Sequence, residues 1–391
     1  MNYILFDGTV RNALLPFTFT RPVADIRVGI LTIREKWEKH LGYTTTTLTE
    51  EYLMEKFPMV EMEENIMINA SFLPTEAMVE MIEALEENQA VFCGDEVIAF
   101  YTKDTQEEVD FDNYEITEYT EACLRVENTW DIFKNNDAAI REDFELLTEG
   151  RTSLPIPSSV NVLSAENIFI EEGAKLEFVT LNASTGPIYI GKNTEIMEGS
   201  VIRGPFALCE EAQVKMGAKI YGATTVGPHS RVGGEVSNSV LFGYSNKGHD
   251  GFLGNAVLGE WCNLGADTNN SNLKNNYEEV KLWSYEKEGF AKTGLQFCGL
   301  MMGDHSKCGI NTMFNTGTVV GVSANIFGSG FPRNFVPSFS WGGASGFTTY
   351  ITKKAFETAR IAMARRNVDF TPEDAAIMEH IFEETKKWRK E

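Results

Sequence analysis

The sequence predicts two architectures in series, an α/β domain followed by a parallel β-helix with C-terminal helices. Aliphatic residues recur every six positions through the middle of the 391-residue chain. Acidic charge is concentrated before this repeat, and a helical pattern begins after it. We therefore expect an α/β domain at 1–150, a β-helix at 151–349 and a helical cap at 350–391.

The step of six is the observation that predicts the β-helix. The residues that share it are Ile190, Ile196, Ile202, Leu208, Val214, Ile220, Val226 and Val232. The same step returns within 252–264 and 302–326. An α-helix has a period of about 3.6 residues and a half-buried strand a period of about two, so neither sustains this pattern. Stacked coils of short strands do, because each side of a coil places one apolar residue in the core before a tight corner.

The first 150 residues mix strand and helix patterns. MNYILFDG is typical of a strand that ends in a turn, PTEAMVEMIEALEENQ of an amphipathic helix, and AVFCGDEVIAFYT of a strand or hairpin. This mixture predicts α/β architecture. TWDIFKNNDAAIREDFELL predicts a connecting helix, and TSLPIPSS predicts a linker into the β-helix.

Two helices are expected after the repeat. The first covers ITKKAFETARIAMARR, and the second opens at Thr371-Pro-Glu-Asp374, which resembles a capping box with proline at the first helical position. The end of a β-helix exposes unpaired strand edges. We therefore expect these helices to cover that end or a neighbouring subunit.

The balance of acidic and basic residues differs between the two halves of the chain and limits the classes of partner that it can bind. Residues 1–150 hold 32 Asp and Glu against 11 Lys and Arg, whereas the remainder holds 25 against 23. A net charge of -23 opposes binding to nucleic acids and to anionic membranes, so neither is an expected partner. No apolar run reaches the ~18 residues that cross a bilayer, and the opening residues lack a secretory pattern. We expect a cytoplasmic protein.

The repeat fails at 236–250 and at 267–300, and these breaks hold the unusual residues of the chain. Loops that interrupt a rigid scaffold commonly carry binding residues. The first break contains NKGHDGFLG, a histidine among glycines, and the second contains SNLKNNYEEVK. A neutral histidine is well matched to accept a proton near about pH 7. His249 is therefore the candidate general base.

The segment GHDGFLGNAVLGEWCNLGADTNNSNLK resembles the acetyltransferase half of a bacterial family and of its archaeal relatives. The family is the bifunctional glucosamine-1-phosphate N-acetyltransferase and N-acetylglucosamine-1-phosphate uridylyltransferase. Its histidine, its two asparagines and its glycine–alanine turn match His249, Asn263, Asn272 and Gly265–Asp267. The resemblance implies a left-handed β-helix, a homotrimer with active sites between subunits, and acetyl transfer from acetyl-CoA to an amino-sugar 1-phosphate.

The resemblance also implies roles for single residues. His249 would accept the proton of the attacking amine, and the backbone amide of Ala266 would stabilise the oxyanion. Asn263 and Asn272 would orient the sugar, and lysines would face its phosphate. The candidates for substrate binding are Asn272, Lys274, Lys281, Phe252, Lys247 and Arg231.

Two positions depart from the family and leave the sugar phosphate open. The family's tyrosine three residues after the histidine is Phe252, and a basic residue twelve positions before it is Ser237. Lys247 or Arg231 is the candidate replacement for the missing charge.

Two other chemistries are compatible with the residues. Cys262 could be an acylated nucleophile next to His249. His229, His249 and His305 could bind zinc, as three histidines do in γ-class carbonic anhydrases, although the close pair of those enzymes is missing. The six cysteines form no CxxC pair, which favours reduced thiols.

The opening half resembles the nucleotidyltransferase-like domain that is fused to such β-helices. The resemblance rests on the loop after the first strand and on LLPFTFTRPVADIRVGILTIREKW. It implies transfer of a nucleotidyl group from UTP with Mg²⁺. Gly8, Arg11 and Arg21 are the candidates for nucleotide binding.

Other residues of this half leave its activity open. Relatives often have a magnesium-binding aspartate where the strand ENIMIN ends in Asn69, so Asp7 is a second metal candidate. The lysine that usually follows the loop is not evident. We expect UDP-N-acetylglucosamine as the coupled product. The alternatives are an acetyltransferase with a silent N-terminal domain and a non-catalytic sugar-nucleotide-binding protein.

Overall fold

An α/β domain opens the chain in the computed structural model, which describes residues 1–103, 105 and 109–389. Its sheet has the strand order Thr46–Leu48, Asn2–Phe6, Asn65–Asn69, Glu96–Thr102, Gln89–Cys93 and Glu115–Glu118. The strand Asn2–Phe6 is parallel to both neighbours. The helices of this domain are α1 (Ile33–Leu41), α2 (Glu76–Glu83), α3 (Asp131–Lys134) and α4 (Asn136–Thr148).

Three parallel sheets form the sides of the β-helix within the described residues. The first side stacks Asn161–Leu163, Thr180–Asn182, Val201–Arg203, Lys219–Tyr221, Glu235–Ser237 and Phe252–Gly254. The second side stacks Ile168–Ile170, Ile188–Ile190, Phe206–Leu208, Thr224–Val226, Val240–Gly243, Val257–Glu260, Leu300–Met302, Thr318–Val320 and Phe335–Val336. The third side stacks Lys175–Leu176, Glu195–Ile196, Gln213–Val214, Arg231–Val232, Asn246–Lys247, Asn263–Leu264, Lys307–Cys308, Asn325–Ile326 and Ser340–Gly343.

Three further pairings complete the strands of the β-helix region. Asn269–Asn270 pairs with Met313–Phe314. Lys281–Ser284 forms an antiparallel hairpin with Gly289–Lys292 inside the second break of the repeat. The last strand of the third side pairs with Gly346–Thr349.

The step of six follows from this stacking. Ile190 pairs with Leu208, and Leu208 pairs with Val226, so each side repeats after three steps of six. These side chains are fully buried in one apolar column. Burial of an aliphatic side chain contributes about 1.5–3 kcal/mol, which explains why the pattern is so regular. The predicted fold class, an α/β domain followed by a parallel β-helix with C-terminal helices, is confirmed, and the left-handed sense of the coils stays a prediction.

The first break shortens one coil and changes a core position. Val232 pairs with Lys247, which is fifteen residues further along instead of eighteen. The lysine thereby takes the inward place that aliphatic residues hold in neighbouring coils, and it is only 2% exposed. The second break instead adds a loop, which carries the hairpin.

The C-terminal helices are α5 (Thr352–Ala364) and α6 (Pro372–Glu384). The predicted capping box is confirmed, because Thr371 and Asp374 exchange side-chain and backbone hydrogen bonds. No helix of the described residues is long and apolar enough to cross a membrane. The domain boundaries at 150 and 349 stay predictions.

The α/β domain packs on the second side of the β-helix. Val240, Phe242 and Val257 point outward from that side and belong to the same buried cluster as Phe17 and Phe19 of the α/β domain. The ring centroids of Phe17 and Phe242 are 5.1 Å apart. The two domains therefore share a core, and residues after the first strand of the chain contact the β-helix directly.

Candidate functional site

A basic pocket lies on the third side of the β-helix and has a volume of about 740 Å³. It brings together His249, Asn263, Ala266 and Arg231, four of the residues predicted from the sequence. Helix α5 forms one wall. The lining residues are Lys215, Arg231, Tyr244, Asn246, Gly248, His249, Trp261, Asn263, Leu264, Gly265, Ala266, Lys307, Ile310, Ala362, Arg365 and Arg366.

Register on the third side explains why distant residues meet in this pocket. Arg231 pairs with Asn246, Asn246 with Asn263, and Asn263 with Lys307. Each of these four residues is followed in sequence by a residue that points into the core of the β-helix. Because side chains alternate along a strand, the four side chains point outward and form a column on the surface. His249 and Ala266 lie in the corners that follow two of these strands.

The pocket has an excess of positive charge. Its cations are Lys215, Arg231, Lys307, Arg365 and Arg366, and its described lining contains no Asp or Glu. Burial, and then Arg231 and Arg365, lower the pKa of Arg366. Burial, and then Arg231, lower the pKa of Lys215. Cations that repel one another favour an anionic ligand, because the ligand relieves the repulsion.

Lys247 lies beneath the histidine and does not line the pocket. Its Nζ donates to the carbonyl oxygen of His249 at 2.5 Å. Burial lowers the pKa of Lys247 to about 8, and Asp250 and Asp267 partly oppose this effect. The ammonium group therefore holds the turn that carries His249. The sequence had suggested a contact with substrate phosphate for this residue.

The remaining predicted substrate residues lie away from His249 in the single chain. Lys274 and Lys281 line a second cavity of about 690 Å³, which shares no described lining residue with the basic pocket. We name it the aromatic pocket; it is lined by Lys274, Lys281, Trp283, Phe290, Thr316, Arg333, Asn334 and Phe335. Asn272 donates from Nδ2 to Asn255 Oδ1 at 2.9 Å. Phe252 is half-buried on the first side.

The predicted nucleotide loop lies at the carboxyl edge of the α/β sheet. Gly8 has a φ of 62°, and a Cβ there would lie 3.3 Å from Asn69 Oδ1. Asn69 accepts from the backbone N–H of Ser71 at 3.0 Å. Asp7 accepts from the Val23 amide at 2.7 Å and from the Thr49 hydroxyl at 2.5 Å.

These contacts do not fit a magnesium site at the two predicted metal ligands. Burial raises the pKa of Asp7 to about 6, against the opposing hydrogen bond of Thr49. Asp7 and Asn69 both use their oxygens within the protein. Among the described residues, no group of three or more His, Cys, Asp or Glu side chains could hold a metal ion.

The two predicted phosphate-binding arginines also have protein partners. Arg11 donates from Nη2 to the Thr18 carbonyl at 2.9 Å and to the Tyr52 hydroxyl at 2.6 Å. Arg21 is 6% exposed and forms an ion pair with Asp304 of the β-helix. Burial lowers the pKa of Arg21, but the carboxylates of Asp304 and Glu260 outweigh it and raise the pKa.

Comparisons with known proteins place both halves near sugar-nucleotide enzymes. The family model described as "Sugar nucleotidyl transferase" matches residues 3–152. The bifunctional sugar-1-phosphate nucleotidylyltransferase/acetyltransferase of Sulfurisphaera tokodaii is 27% identical over 221 residues, which are 50% of this chain and 55% of that protein. The chain is thus similar to a bifunctional enzyme of which it covers about half the length. The resemblance predicted from the sequence is confirmed.

Other proteins are similar to shorter segments of the chain. The uncharacterized acetyltransferase YaiX of Escherichia coli O6:K15:H31 is 25% identical over 144 residues, 36% of this chain and 62% of that protein. The bifunctional protein GlmU of Trichodesmium erythraeum is 33% identical over 108 residues, 27% of this chain and 22% of that protein. This chain thus covers less than two thirds of each of these relatives. The solved acyltransferase LpxA of Bacteroides fragilis 9343 aligns over 57% of this chain and 96% of its own, with a TM-score of 0.24 and 12% identity.

The zinc alternative gains no support from the positions of the three histidines. His229 and His305 belong to a column of stacked rings in which His229 lies 4.7 Å from Tyr244, and His305 lies 6.2 Å from Trp261. Tyr244 and Trp261 stack on each other at 4.2 Å. The three histidines form no metal-binding group within the described residues.

Cys262 is predicted to be dispensable for acyl transfer. It is fully buried, and burial raises the pKa of its thiol to about 12. A nucleophilic cysteine needs a populated thiolate. Cys262→Ala is therefore expected to keep wild-type kcat in a thiol-release assay and to show a slightly lower Tm. Loss of activity in a folded variant, together with an acetylated cysteine found by mass spectrometry in the wild type, would instead establish the covalent route.

Proposed function

We propose that this chain is a transferase that moves an acetyl group from acetyl-CoA to the amine of an amino-sugar 1-phosphate, glucosamine-1-phosphate being the first candidate. The observation that carries the proposal is the basic pocket, which joins His249 to an uncompensated cluster of cations. Acetyl-CoA has phosphates at one end and a thioester at the other. A pocket that combines five cations with His249 suits a molecule that carries both phosphates and a thioester.

Each step of the transfer has a candidate group. His249 takes a proton from the amine as the amine nitrogen bonds to the thioester carbon. The carbonyl oxygen gains negative charge, and the Ala266 amide donates to it; within the described residues that amide donates no other hydrogen bond. The carbon–sulfur bond then breaks, and the thiolate of CoA takes the proton from His249. Asn263, which is exposed in the pocket, would orient the sugar.

A trimer would bring the predicted sugar-phosphate lysines to His249. His249 lies in the corner between the third and first sides, whereas the loop with Lys274 and Lys281 leaves the corner between the first and second sides. The two pockets thus flank opposite edges of one side. His249 and Asn263 are exposed in the single chain, although acyl transfer favours a site closed to water. We therefore propose a homotrimer in which the basic pocket of one copy meets the aromatic pocket of its neighbour.

The α/β domain would couple acetylation to nucleotidyl transfer from UTP, giving UDP-N-acetylglucosamine. Groups other than Asp7 and Asn69 would have to hold the Mg²⁺ of that reaction, because both residues use their oxygens within the protein. The family match of residues 3–152 supports this half of the proposal. The second candidate is an acetyltransferase whose α/β domain is catalytically silent. The ion pair between Arg21 and Asp304 favours it, because that arginine has no free face for a phosphate.

One assay separates these candidates. The protein is incubated with glucosamine-1-phosphate, acetyl-CoA, UTP and Mg²⁺, while free thiol and pyrophosphate are followed together; UDP-glucosamine replaces the sugar phosphate in a parallel arm. Release of both products is the expected result for the coupled enzyme. Release of thiol without pyrophosphate would favour the second candidate, the acetyltransferase with a silent α/β domain. No thiol with any amino-sugar phosphate or nucleotide-linked amino sugar would contradict the proposal and favour a binding protein.

A further inference from the structure

The loop that follows the first strand is built into the β-helix. We call residues 8–22 the N-terminal loop. Its Phe17 packs on Phe242, and the guanidinium carbon of Arg21 lies 5.3 Å from the centre of the same ring. A Cβ added at Gly303 would lie 3.1 Å from Pro16 Cβ, so the loop and the β-helix approach closely at this point.

Arg21 and Asp304 form the centre of this contact. Both residues are buried, and Arg21 Nη2 contacts Asp304 Oδ2 directly. The Thr20 hydroxyl donates to the same oxygen at 2.9 Å, and Glu260 Oε2 lies 3.5 Å from Arg21 Nη2. A buried ion pair with these added hydrogen bonds has a defined geometry.

The contact continues from Asp304 into the basic pocket. Asp304 Oδ1 accepts from the Glu260 amide at 2.9 Å, and the next residue, His305, donates from its amide to the Glu260 carbonyl at 2.8 Å. His305 is half-buried and stacks with Trp261 at a centroid distance of 6.2 Å. Lys307 Nζ donates to the carbonyls of Trp261 and His305 at 3.2 and 3.0 Å. Trp261 and Lys307 both line the basic pocket.

We propose that Arg21 is a positioning residue of the basic pocket, acting through Asp304 on the turn that places Trp261 and Lys307. The N-terminal loop would then be a structural part of the acyl-transfer site, whatever the α/β domain does with nucleotides. The expected changes in KM rest on the proposed function, because acetyl-CoA is the substrate with which they are measured.

A stabilising ion pair with no effect on the pocket is the competing explanation. Removal of one partner leaves a buried charge, so single variants are expected to lose stability under either explanation. The informative variant is Arg21→Met with Asp304→Asn, which removes both charges and keeps an acceptor for the Glu260 amide. Arg34→Met is the matched control, because Arg34 forms a two-pronged ion pair with Asp25 inside the α/β domain.

The experiment measures the Kd for CoA by calorimetry, the KM for acetyl-CoA, kcat and Tm. In the double variant we expect Kd and KM to rise about tenfold while kcat changes little, since small displacements of binding groups have effects of this order or larger. Arg21→Lys alone keeps a positive charge beside Asp304, so it should raise Kd and KM less than the double variant does. Arg34→Met should lower Tm and leave both constants unchanged.

Unchanged Kd and KM in a folded double variant would overturn the inference. A wild-type protein that binds CoA but transfers no acetyl group would contradict the proposed function alone, and the Kd values would still decide the role of Arg21. A wild-type protein that does not bind CoA would overturn both.

Discussion

His249→Gln is expected to lower kcat for acetyl transfer by about 10²- to 10⁴-fold, the usual contribution of a general base. Glutamine can fill the space of the imidazole but cannot take a proton from the amine. The side chain of His249 is exposed, so the fold and the affinity for CoA should be retained. The measurement is thiol release under saturating substrates, with Tm and CoA binding recorded for the same preparation.

The matched control for this prediction is His40→Gln. His40 lies in the last turn of helix α1, in the other domain, and should tolerate the change without loss of kcat. Equal activity of wild type and His249→Gln would contradict the assignment of the base. Another group of the basic pocket would then have to be the base, and Lys307 would be the first to test.

Two inactive variants are expected to restore activity when they assemble together. His249→Gln damages the basic pocket, and Lys274→Met with Lys281→Met damages the aromatic pocket. If each site joins these pockets from neighbouring copies of a cyclic trimer, every trimer that contains both variants has one intact site of its three, so about one third of the wild-type activity should return. Co-expression with two affinity tags, tandem purification and thiol release measure the recovered activity.

A second mixture supplies the control for this experiment. His249 and Asn263 line the same pocket, so mixing His249→Gln with Asn263→Ala leaves no site intact and should remain inactive. A trimer that recovers nothing in the first mixture would contradict the intersubunit site. So would a wild-type protein that is active as a monomer.

The outline of the β-helix could be read from the sequence because one physical requirement repeats. Nearly every side of a coil places one apolar residue inside, and the column from Ile190 through Leu208 to Val226 follows that requirement. The corner residues were also predictable. His249 and Ala266 share a pocket because each follows a strand of the same side.

Positions that depend on coil length could not be read in this way. The shortened coil moves Lys247 to an inward place, where its ammonium contacts the His249 carbonyl rather than a ligand. The inserted loop carries Lys274 and Lys281 to another cavity. A step of six shows where the repeat fails, but it does not show how many residues a failing coil loses or gains.

Contacts between distant segments were missed for a different reason. Arg365 and Arg366 reach the basic pocket from the segment that directly follows helix α5, more than a hundred residues after His249, and no local spacing connects them. Arg21 has the sequence context of a phosphate ligand, yet its charge is paired with Asp304 of the β-helix. Partners of this kind are set by domain packing, which the repeat does not encode.

The most direct test of the account follows the acetyl group itself. Wild-type protein and His249→Gln are incubated with ¹³C-acetyl-CoA and a panel of amino-sugar phosphates, and the sugars are analysed by mass spectrometry. We expect one acceptor to carry the labelled acetyl group on nitrogen with the wild type and to remain unlabelled with the variant. No labelled acceptor with the wild type, or equal labelling by both proteins, would contradict acetyl transfer at the basic pocket.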